Sequence, residues 1–435
     1  TLFQSIPDIF LQSNTDFIDN HGYWDHYRNA DPVSMIPSSD YYNPVMGLFA
    51  GLSIPETPLT VSEYNYEAPN PFAYEALFFL AGYGSFHDAD MLMVHQLEYT
   101  PLWNVWNHGF NSYQQISFRA LQPTFAYAYR HHLISPANDS VTISFSPDDV
   151  KALVTKQDDR TDYPAIPSHP YLSDTKEIAW DTTGLFSVQV PELCAFVGEL
   201  DQFTGKIMGN VELADADKSA GFTLLSLDNL PLGASEKMLM TITTQMKNTG
   251  MITDGYEVLD YGNSPRIMEP ATITFHLFTD LDYVRVIWLN ENGHRSDYAE
   301  IFENDGNGKI PITVDTYAHP GVWFGVEKYD PYVPVAAFSS DITSGRVPLS
   351  VQFSDASTNA TSWSWDFNGD GLEDSRKQNP EFEYDRSGVF TVSLTARNAY
   401  GAHTTTKTDF ITAYETGTCE VTFHVDMQNE AVSSS

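Results

Sequence analysis

A carboxylate at the end of a predicted strand is the first candidate for chemistry in this sequence. Glu63 follows the apolar run LTVS and stands next to Tyr64 and Asn65. His21 and Tyr23 end the preceding apolar run, and as alternate residues of a strand they face the same side. In a parallel βα sheet, active-site residues project from the carboxyl ends of the strands. The pattern therefore predicts Glu63 as a nucleophile, oriented by His21 and Tyr23.

A third predicted strand, ADMLMVHQLEY, brings more polar and aromatic side chains to the same rim. Aromatic faces stack on the apolar faces of pyranose rings, so the rim suits a carbohydrate cleft better than a phosphate or nucleotide site. The predicted substrate-binding residues are His21, Tyr23, Tyr64, Asn65, His95, Trp103 and Trp106. Both tryptophans also suit packing between two domains, and that alternative stays open. No Gly-rich phosphate loop, zinc-type His cluster or nucleophile-elbow serine competes with this site.

The segment DFNGDGLED has the spacing of a calcium-binding loop. Gly371 stands at the turn position of such a loop, but Lys377 replaces the usual Glu at its end. A tight turn in a β-sandwich uses the same residue types, because Asn, Asp and Gly adopt left-handed conformations and form local hydrogen bonds. Calcium and turn therefore remain alternatives. The candidate ligands are Asp366, Asn368, Asp370 and Asp374.

The charge balance excludes whole classes of partner. The 435 residues include 22 basic and 58 acidic side chains, for a formal net charge of −36. Such a chain repels phosphate backbones and anionic lipid surfaces. Because only 18% of the residues are charged while 14% are aromatic, the chain is globular and not a polyelectrolyte. No apolar stretch approaches the ~20 residues needed to span a bilayer.

The pattern of elements changes class near Pro136. Before it, strands alternate with helices, and Asn70 followed by Pro71 predicts a capped helix over the run AYEALFFLAGYGSF. A second amphipathic helix is predicted from Tyr113 to Leu133. From Ser140 onward the pattern is that of short strands, for example SVTISFS, GLFSVQV, SEKMLMTITTQ, ATITFHLF and VRVIWLN.

The predicted organisation is a multidomain chain with a parallel βα region followed by β-sandwiches. Its boundaries are 1–135 for the βα region, 136–332 for one or more sandwiches, 333–414 for a third unit and 415–435 for the start of a further β-rich module. Cys194 and Cys419 fall in different units of this scheme, so we expect free thiols and no disulfide framework.

Part of the first region resembles a known enzyme family. The matching text is DNHGYWDHY, SMIP and TVSEYNYEAPNPFAYEALFFLAGYGSFHDADML. It resembles the C-terminal third of the (β/α)8-barrel glycoside hydrolases of the cellulase-type superfamily, over less than a quarter of the chain. In that family the Glu of the SEYN motif is the retaining nucleophile, and a His and a Tyr on the sixth strand line the active site. The resemblance therefore implies a partial barrel of three strands, with Glu63 as nucleophile beside His21 and Tyr23.

Two departures from the family pattern matter. The eighth-strand motif is HDAD, so that His87 and Ala89 stand where the family has Gln and Trp. The family's general acid/base is a Glu on the fourth strand, which would lie upstream of Thr1. A retaining glycosidase needs two carboxyl groups about 5–5.5 Å apart. The chain alone is therefore expected to be inactive on glycosides.

Two further segments carry resemblances. The text WDTTGLFSVQVPELCAFVG, LLSLDNLPLGASEKMLMT and KNTGM resembles the β-sandwich that follows such barrels. Residues 334–413 resemble a polycystic-kidney-disease (PKD) type domain, an immunoglobulin-like sandwich. The text that carries this second resemblance is PLSVQFSDAST, WSWDFNGDG and NPEFEYDRSGVFTVSLTARNAYG.

These resemblances imply the C-terminal portion of a secreted bacterial retaining glycoside hydrolase that acts on a polysaccharide. The alternative is a non-catalytic extracellular carbohydrate-binding or adhesion protein, in which Glu63 is an ordinary strand-end acid. Catalysis needs no cofactor in this hypothesis, calcium in the PKD-type unit stays open, and neither nucleic acid nor a membrane span is expected. Agar-like, mannan-like and cellulosic chains all suit such a cleft.

Overall fold

The chain folds as a mostly β-sheet protein with little helix. It divides into two compact units, Thr1–Tyr329 and Asp330–Ser435. The computed structural model describes residues 12–13, 15–24, 34–36, 54–66, 70–94, 115–140, 142, 144–155, 172–254, 258–260 and 262–415.

The first unit opens with a small parallel sheet. Its strands are β1 (Ile18–Trp24), β2 (Leu59–Tyr66) and β3 (Met91–Leu92), paired in the order β1-β2-β3. Both strand pairs are parallel. The parallel arrangement agrees with the sequence prediction for this region, and the rest of the predicted third strand lies outside the described residues.

Two helices pack beside this sheet. They are α1 (Ala76–Phe86), which follows a 3-10 turn at Ala73–Glu75, and α2 (Ile116–Arg130). The Asn70 side chain accepts a hydrogen bond from the Phe72 N–H at 2.7 Å, and in this way closes the turn that leads into α1. Helix α1 is buried over nearly its whole circumference. A helix that is apolar on every side must be covered on every side.

A third helix, α3 (Pro147–Thr155), stands where the sequence predicted only strands. The described residues of SVTISFS are not in a strand. Ser146 caps the helix instead: its Oγ accepts the Asp149 N–H at 3.2 Å, while the Asp149 carboxylate accepts the Ser146 N–H at 2.8 Å. This reciprocal pair, followed by Pro147 in the first turn, is a stronger local signal than a short alternation of apolar residues.

The rest of the first unit is a β-sandwich. The strands are β4 (Ile178–Asp181), β5 (Leu185–Val190), β6 (Leu193–Gly198), β7 (Lys206–Met208), β8 (Val211–Ala216), β9 (Ala220–Ser226), β10 (Lys237–Thr243), β11 (Met246–Thr249), β12 (Ile252–Thr253), β13 (Val258–Asp260), β14 (Asn263–Met268), β15 (Thr272–Phe278), β16 (Tyr283–Leu289), β17 (Arg295–Glu303), β18 (Lys309–Asp315) and β19 (Trp323–Lys328). The large sheet has the strand order β17-β16-β19-β10-β9-β6-β5-β4, and the small sheet has the order β18-β15-β8-β7. Two further strand pairs, β11-β14 and β12-β13, form separate two-stranded sheets.

Helices and sandwich share a hydrophobic core, which makes three layers. Strands β6 and β9 are buried at every residue because the helices cover one face and the small sheet the other. Strand β15 of the small sheet alternates between buried and half-buried residues, because one of its faces is covered. At the helix side of the large sheet, the Phe79 ring lies 4.3 Å from the Phe186 ring and 5.0 Å from the Trp180 ring. The predicted boundary at residue 136 therefore crosses a continuous core.

The second unit is a smaller sandwich of two sheets, β20-β22-β24 and β21-β26-β25-β23. Trp365 lies at the centre of its core, fully buried, and its indole donates a hydrogen bond to the Lys377 carbonyl at 2.8 Å. The strands are β20 (Phe338–Ser340), β21 (Ser344–Arg346), β22 (Leu349–Asp355), β23 (Ser362–Asp366), β24 (Glu381–Tyr384), β25 (Gly388–Arg397) and β26 (Ala402–Tyr414).

The prediction of a β-rich multidomain chain is confirmed. Over the described residues the parallel region has three strands, so this structure by itself does not establish a (β/α)8 barrel. Within the same residues, no helix is both long and apolar enough to cross a bilayer.

Candidate functional site

The pairing of β1 with β2 places His21 beside Glu63. Asn20 pairs with Val61 and His21 pairs with Glu63, so Ser62 is an extra residue that forms a β-bulge. The bulge turns Ser62 and Glu63 toward the His21 ring, and such bulges commonly re-aim a side chain. His21 Nδ1 lies 3.4 Å from Glu63 Oε2. The side chains of His21 and Glu63 are 35% and 32% exposed, so both are accessible from solvent.

A second carboxylate, that of Asp19, holds the other side of the His21 ring. His21 Nε2 lies 3.1 Å from Asp19 Oδ2 and 3.1 Å from Ser62 Oγ. Ser62 Oγ donates to Asp19 Oδ2 at 2.6 Å, and the Ser62 N–H donates to Asp19 Oδ1 at 3.0 Å. Thr60 Oγ1 also donates to Asp19 Oδ1, at 2.8 Å. Asp19 is thus fixed by four hydrogen-bonding groups on β1 and β2.

This network keeps Asp19 ionised. Burial alone would raise the pKa of Asp19, but hydrogen bonds from Ser62, Thr60 and His21 outweigh burial and hold the pKa below its usual value. An ionised Asp19 accepts a hydrogen bond from the N–H at His21 Nε2. His21 Nδ1 then faces Glu63 Oε2, at 3.4 Å. The geometry therefore orients Glu63 through His21, and His21 through Asp19.

The predicted substrate-binding residues differ from one another in burial and position. Tyr64 is 1% exposed and lies in the core beside α1, so the prediction that it touches a substrate does not fit its position. Strand alternation explains this, because Tyr64 faces the opposite side of β2 from Glu63. Asn65 is fully buried. Tyr23 lies on β1 next to this network, paired with Asn65. The remaining predicted residues lie outside the described part of the chain: His95, Trp103 and Trp106.

Two acidic residues of this region were not predicted. Asp19 is one of them, since its role depends on the register of two strands. The other is Glu75, which is 1% exposed and whose carboxylate accepts hydrogen bonds from Ser34 Oγ at 2.5 Å and the Met35 N–H at 2.9 Å. Burial raises the pKa of Glu75 to about 8, against the smaller opposing effect of those two hydrogen bonds. In the sequence, Glu75 resembles an ordinary acidic residue that stabilises the helix dipole at the start of α1, because its burial depends on the tertiary structure.

Glu75 holds a segment that carries part of the family resemblance. The Ser34–Ile36 stretch is tied at one end by the Glu75 carboxylate. At the other end the Trp180 indole of the sandwich donates to the Ile36 carbonyl at 2.9 Å. The Ser34–Ile36 stretch is therefore a structural link between the helical region and the sandwich.

The calcium-like loop is arranged as a turn. Asp366 accepts the N–H groups of Asn368, Gly369 and Gly371 at 3.2, 2.7 and 2.9 Å. Asp374 accepts the Phe367 N–H at 2.7 Å. Gly369 and Gly371 have positive φ angles of 74° and 82°, as tight turns require.

Further local hydrogen bonds hold the middle of this loop. The side chain of Asp370 accepts the Leu372 N–H and an amide hydrogen of Asn368. No group of three or more His, Cys, Asp and Glu side chains placed to hold a metal ion occurs among the residues that the structure describes. Calcium at Asp366, Asn368, Asp370 and Asp374 stays a prediction.

The second unit matches a known family. Residues 329–413 match the PKD domain family. This segment is a PKD domain. The resemblance noted for residues 334–413 is thereby confirmed, while the glycoside hydrolase resemblance of the preceding part stays a prediction.

Solved structures with similarity to the chain include the following two. The crystal structure of the PKD1 domain of Vibrio anguillarum Epp is 34% identical, covers 19% of this chain and 95% of that chain, and has a TM-score of 0.16. A solution NMR structure of a Methanosarcina mazei protein is 40% identical, covers 20% of this chain and 58% of that one, and has a TM-score of 0.17. No curated protein matches the chain.

Proposed function

We propose that the Asp19–His21–Glu63 network belongs to a retaining glycoside hydrolase that acts on a polysaccharide, with Glu63 as the nucleophile. The observation that carries the proposal is a solvent-accessible carboxylate on a parallel strand, oriented by an imidazole that a second carboxylate holds in turn. A nucleophile positioned by a chain of two further groups is the general arrangement of activated nucleophiles.

In the proposed reaction Glu63 Oε attacks the anomeric carbon and the glycosidic C–O bond breaks, which gives a glycosyl ester. A water molecule then releases the sugar with retained configuration. His21 holds the Glu63 carboxylate in line for this attack. In this step the ester forms on Glu63 Oε1, so that Oε2 stays next to His21 Nδ1, from which it lies 3.4 Å in the structure.

A retaining mechanism needs a second carboxyl group as acid and base. Asp19 is unsuited to that task, because hydrogen bonds engage both of its oxygens and hold its pKa below the usual value. A general acid requires the opposite, a raised pKa. The proposal therefore assigns the acid/base to a residue outside those that the structure describes.

The proposal includes the architecture implied by the sequence resemblance. Three parallel strands in sequential order, with α1 connecting β2 to β3, are what the last three units of a (β/α)8 barrel require. We also propose that the protein is secreted by a bacterium and that the sandwich and the PKD domain act as spacers or binding modules. A low basic content together with extracellular-type β-modules supports this part of the proposal.

The test uses the full-length protein from its source and a panel of agar, mannan and β-glucan substrates. Release of reducing ends is measured for the wild type, Glu63→Gln and Asp19→Asn. The control is Glu56→Gln, which changes an exposed acid in the turn before β2. We expect a loss of about 10³-fold or more in Glu63→Gln and a smaller loss in Asp19→Asn, as for a nucleophile and a group that acts through another.

Two results would count against the hydrolase. One is wild-type protein that releases no reducing ends from any member of the panel. The other is Glu63→Gln protein that keeps the activity of the Glu56→Gln control. Binding to a polysaccharide without hydrolysis would then favour the non-catalytic carbohydrate-binding alternative.

A further inference from the structure

The PKD domain carries a pair of exposed tyrosines that its fold does not need. Tyr332 and Tyr400 are 53% and 65% exposed, and their ring centroids lie 5.2 Å apart with an interplanar angle of 30°. They come from distant parts of the domain sequence: one precedes β20, and the other lies in the turn between β25 and β26. The domain core is complete without them, since it is built around Trp365.

One side chain fixes both tyrosines. The Asn398 amide donates to the Tyr332 carbonyl at 2.5 Å and to the Asn359 carbonyl at 2.8 Å. Its oxygen accepts the N–H groups of Tyr400 and Gly401 at 2.8 and 3.1 Å. These four hydrogen bonds of the Asn398 side chain link the loops that carry the rings. The backbone at both tyrosines is therefore fixed before any ligand arrives, which lowers the entropic cost of binding.

Neighbouring contacts reinforce this arrangement. The Tyr332 N–H donates to Asp330 Oδ1 at 2.8 Å, and the Asn359 amide donates to the Pro331 carbonyl at 2.5 Å. These hydrogen bonds fix the backbone that leads to Tyr332. Rigid loops that present large aromatic rings to solvent are typical of recognition surfaces, because such rings supply contact area at little cost in side-chain entropy.

The chemistry of the pair favours a neutral sugar. A phenol ring stacks on the C–H face of a pyranose while its hydroxyl remains free to bond a sugar hydroxyl. Phosphate-rich and other strongly anionic ligands are disfavoured by the net charge of −36.

We propose that Tyr332 and Tyr400 form a binding site for a neutral polysaccharide on the PKD domain, preorganised by Asn398. The site does not depend on the proposed hydrolase. It gives the PKD domain a ligand of its own, separate from any cleft at Glu63.

The test is affinity electrophoresis of the 435-residue chain through gels that contain agarose, galactomannan, hydroxyethylcellulose or xyloglucan. Gelatin gels test a protein ligand, and alginate gels test an anionic polysaccharide. The variants are Y332A/Y400A and Asn398→Ala. The matched control is Tyr414→Ala, which removes another exposed tyrosine of the same domain, 48% exposed. Thermal unfolding of each variant shows whether the domain stays folded.

We expect at least one neutral polysaccharide to retard the wild type and Tyr414→Ala equally. The double variant should lose about tenfold or more in affinity, since two stacking contacts are removed. Asn398→Ala should weaken binding while both rings remain, because the rings lose their fixed positions. Three outcomes overturn the proposal: no retardation by any neutral polysaccharide, equal retardation of the wild type and the double variant, or retardation by gelatin or alginate alone.

These outcomes separate this site from the hydrolase. Glu63→Gln protein, which should lack hydrolysis, should keep the retardation that depends on Tyr332 and Tyr400. A failure of the tyrosine variants to affect binding leaves the assay of Glu63 unchanged, and a failure of hydrolysis leaves the tyrosine site unchanged.

Discussion

At the scale of single residues, the β-bulge at Ser62 directs the Glu63 side chain toward His21. Without the extra residue, the register of β2 against β1 would shift by one and Glu63 would face the helices. With it, Ser62 holds Asp19 while Glu63 reaches His21. The sequence shows the carboxylate, but the bulge that aims it appears only once the two strands are paired.

Asp19 should make a pH-dependent contribution to stability. Its pKa in the folded protein is lowered, so it stabilises the fold above its unfolded pKa of about 3.9, and this stabilisation is lost as the pH falls through the folded value. Asp19→Asn should therefore reduce the free energy of unfolding by about 1–3 kcal/mol at about pH 7 and by less at about pH 3. Urea unfolding at the two pH values measures the difference. An equal loss at both would contradict the role assigned to the ionised carboxylate.

At the scale of elements, Glu75 is a buried acid that joins a turn to the Ser34–Ile36 segment. Its folded pKa is raised to about 8, above the usual value of a Glu side chain. The folded protein therefore binds more protons than the unfolded chain between about pH 4.5 and about pH 8, and stability falls as the pH rises through that window.

Glu75→Gln should remove this dependence, because Gln stays neutral and its amide oxygen still accepts a hydrogen bond from Ser34 or Met35. Between about pH 5 and about pH 9, the wild type should lose up to about 4 kcal/mol more than the variant. Thermal unfolding across this range tests the expectation. Parallel stability curves for the two proteins would refute it.

Helix α1 and the large sheet share a hydrophobic core, so a substitution in α1 should also destabilise the sheet. Phe79→Ala removes a ring that contacts both Phe186 and Trp180, and should cost about 3–5 kcal/mol of unfolding free energy. Phe17→Ala, at a site that is 51% exposed, is the control and should cost little.

Amide hydrogen exchange shows which elements are destabilised by Phe79→Ala. Amide protons of β5 and β6 should exchange faster in Phe79→Ala than in Phe17→Ala, although neither strand is altered in sequence. Unchanged protection in these strands would mean that the helical region and the sandwich unfold independently.

Much of this element structure follows from the sequence, and the exceptions have physical reasons. Alternation predicted β15 and β16, and the Asn70–Pro71 pair predicted the turn into α1, because in these cases a local signal and the tertiary environment agree. Helix α3 differs from the predicted strand because the cap at Ser146 is a stronger local signal than the short alternation in SVTISFS. The burial of Tyr64 and Glu75 depends on what packs against them, which neither spacing nor composition reveals.

At the scale of the whole molecule, the net charge of −36 is the dominant long-range feature. Self-repulsion among the acidic side chains destabilises the compact state and is screened by salt. Raising NaCl from about 10 mM to about 300 mM at about pH 7.5 should increase the Tm by several degrees. The increase should shrink near the isoelectric point of about 4.4, where the charges balance. Differential scanning calorimetry measures both, and an equal salt effect at the two pH values would argue against self-repulsion.

The two units also differ in how far their function is defined. The PKD domain is assigned by its family match and fold, and its exposed tyrosine pair gives it a testable ligand. The first unit has its fold from the structure and its proposed chemistry from the Glu63 network and the sequence resemblance. Under the two proposals made above, the PKD domain raises the local substrate concentration for the hydrolase, as linked binding modules do.

The most direct measurement of the central claim is azide rescue of Glu63→Ala in the full-length protein, with the 2,4-dinitrophenyl glycoside of the hydrolysed sugar. Azide replaces the missing carboxylate, attacks the anomeric carbon and expels the aryl oxide, which needs no acid. With Glu63 as the nucleophile, we expect a glycosyl azide whose anomeric configuration, read by NMR, is opposite to that of the substrate. A glycosyl azide of retained configuration would make Glu63 the acid/base, and the absence of any azide product would remove it from the reaction.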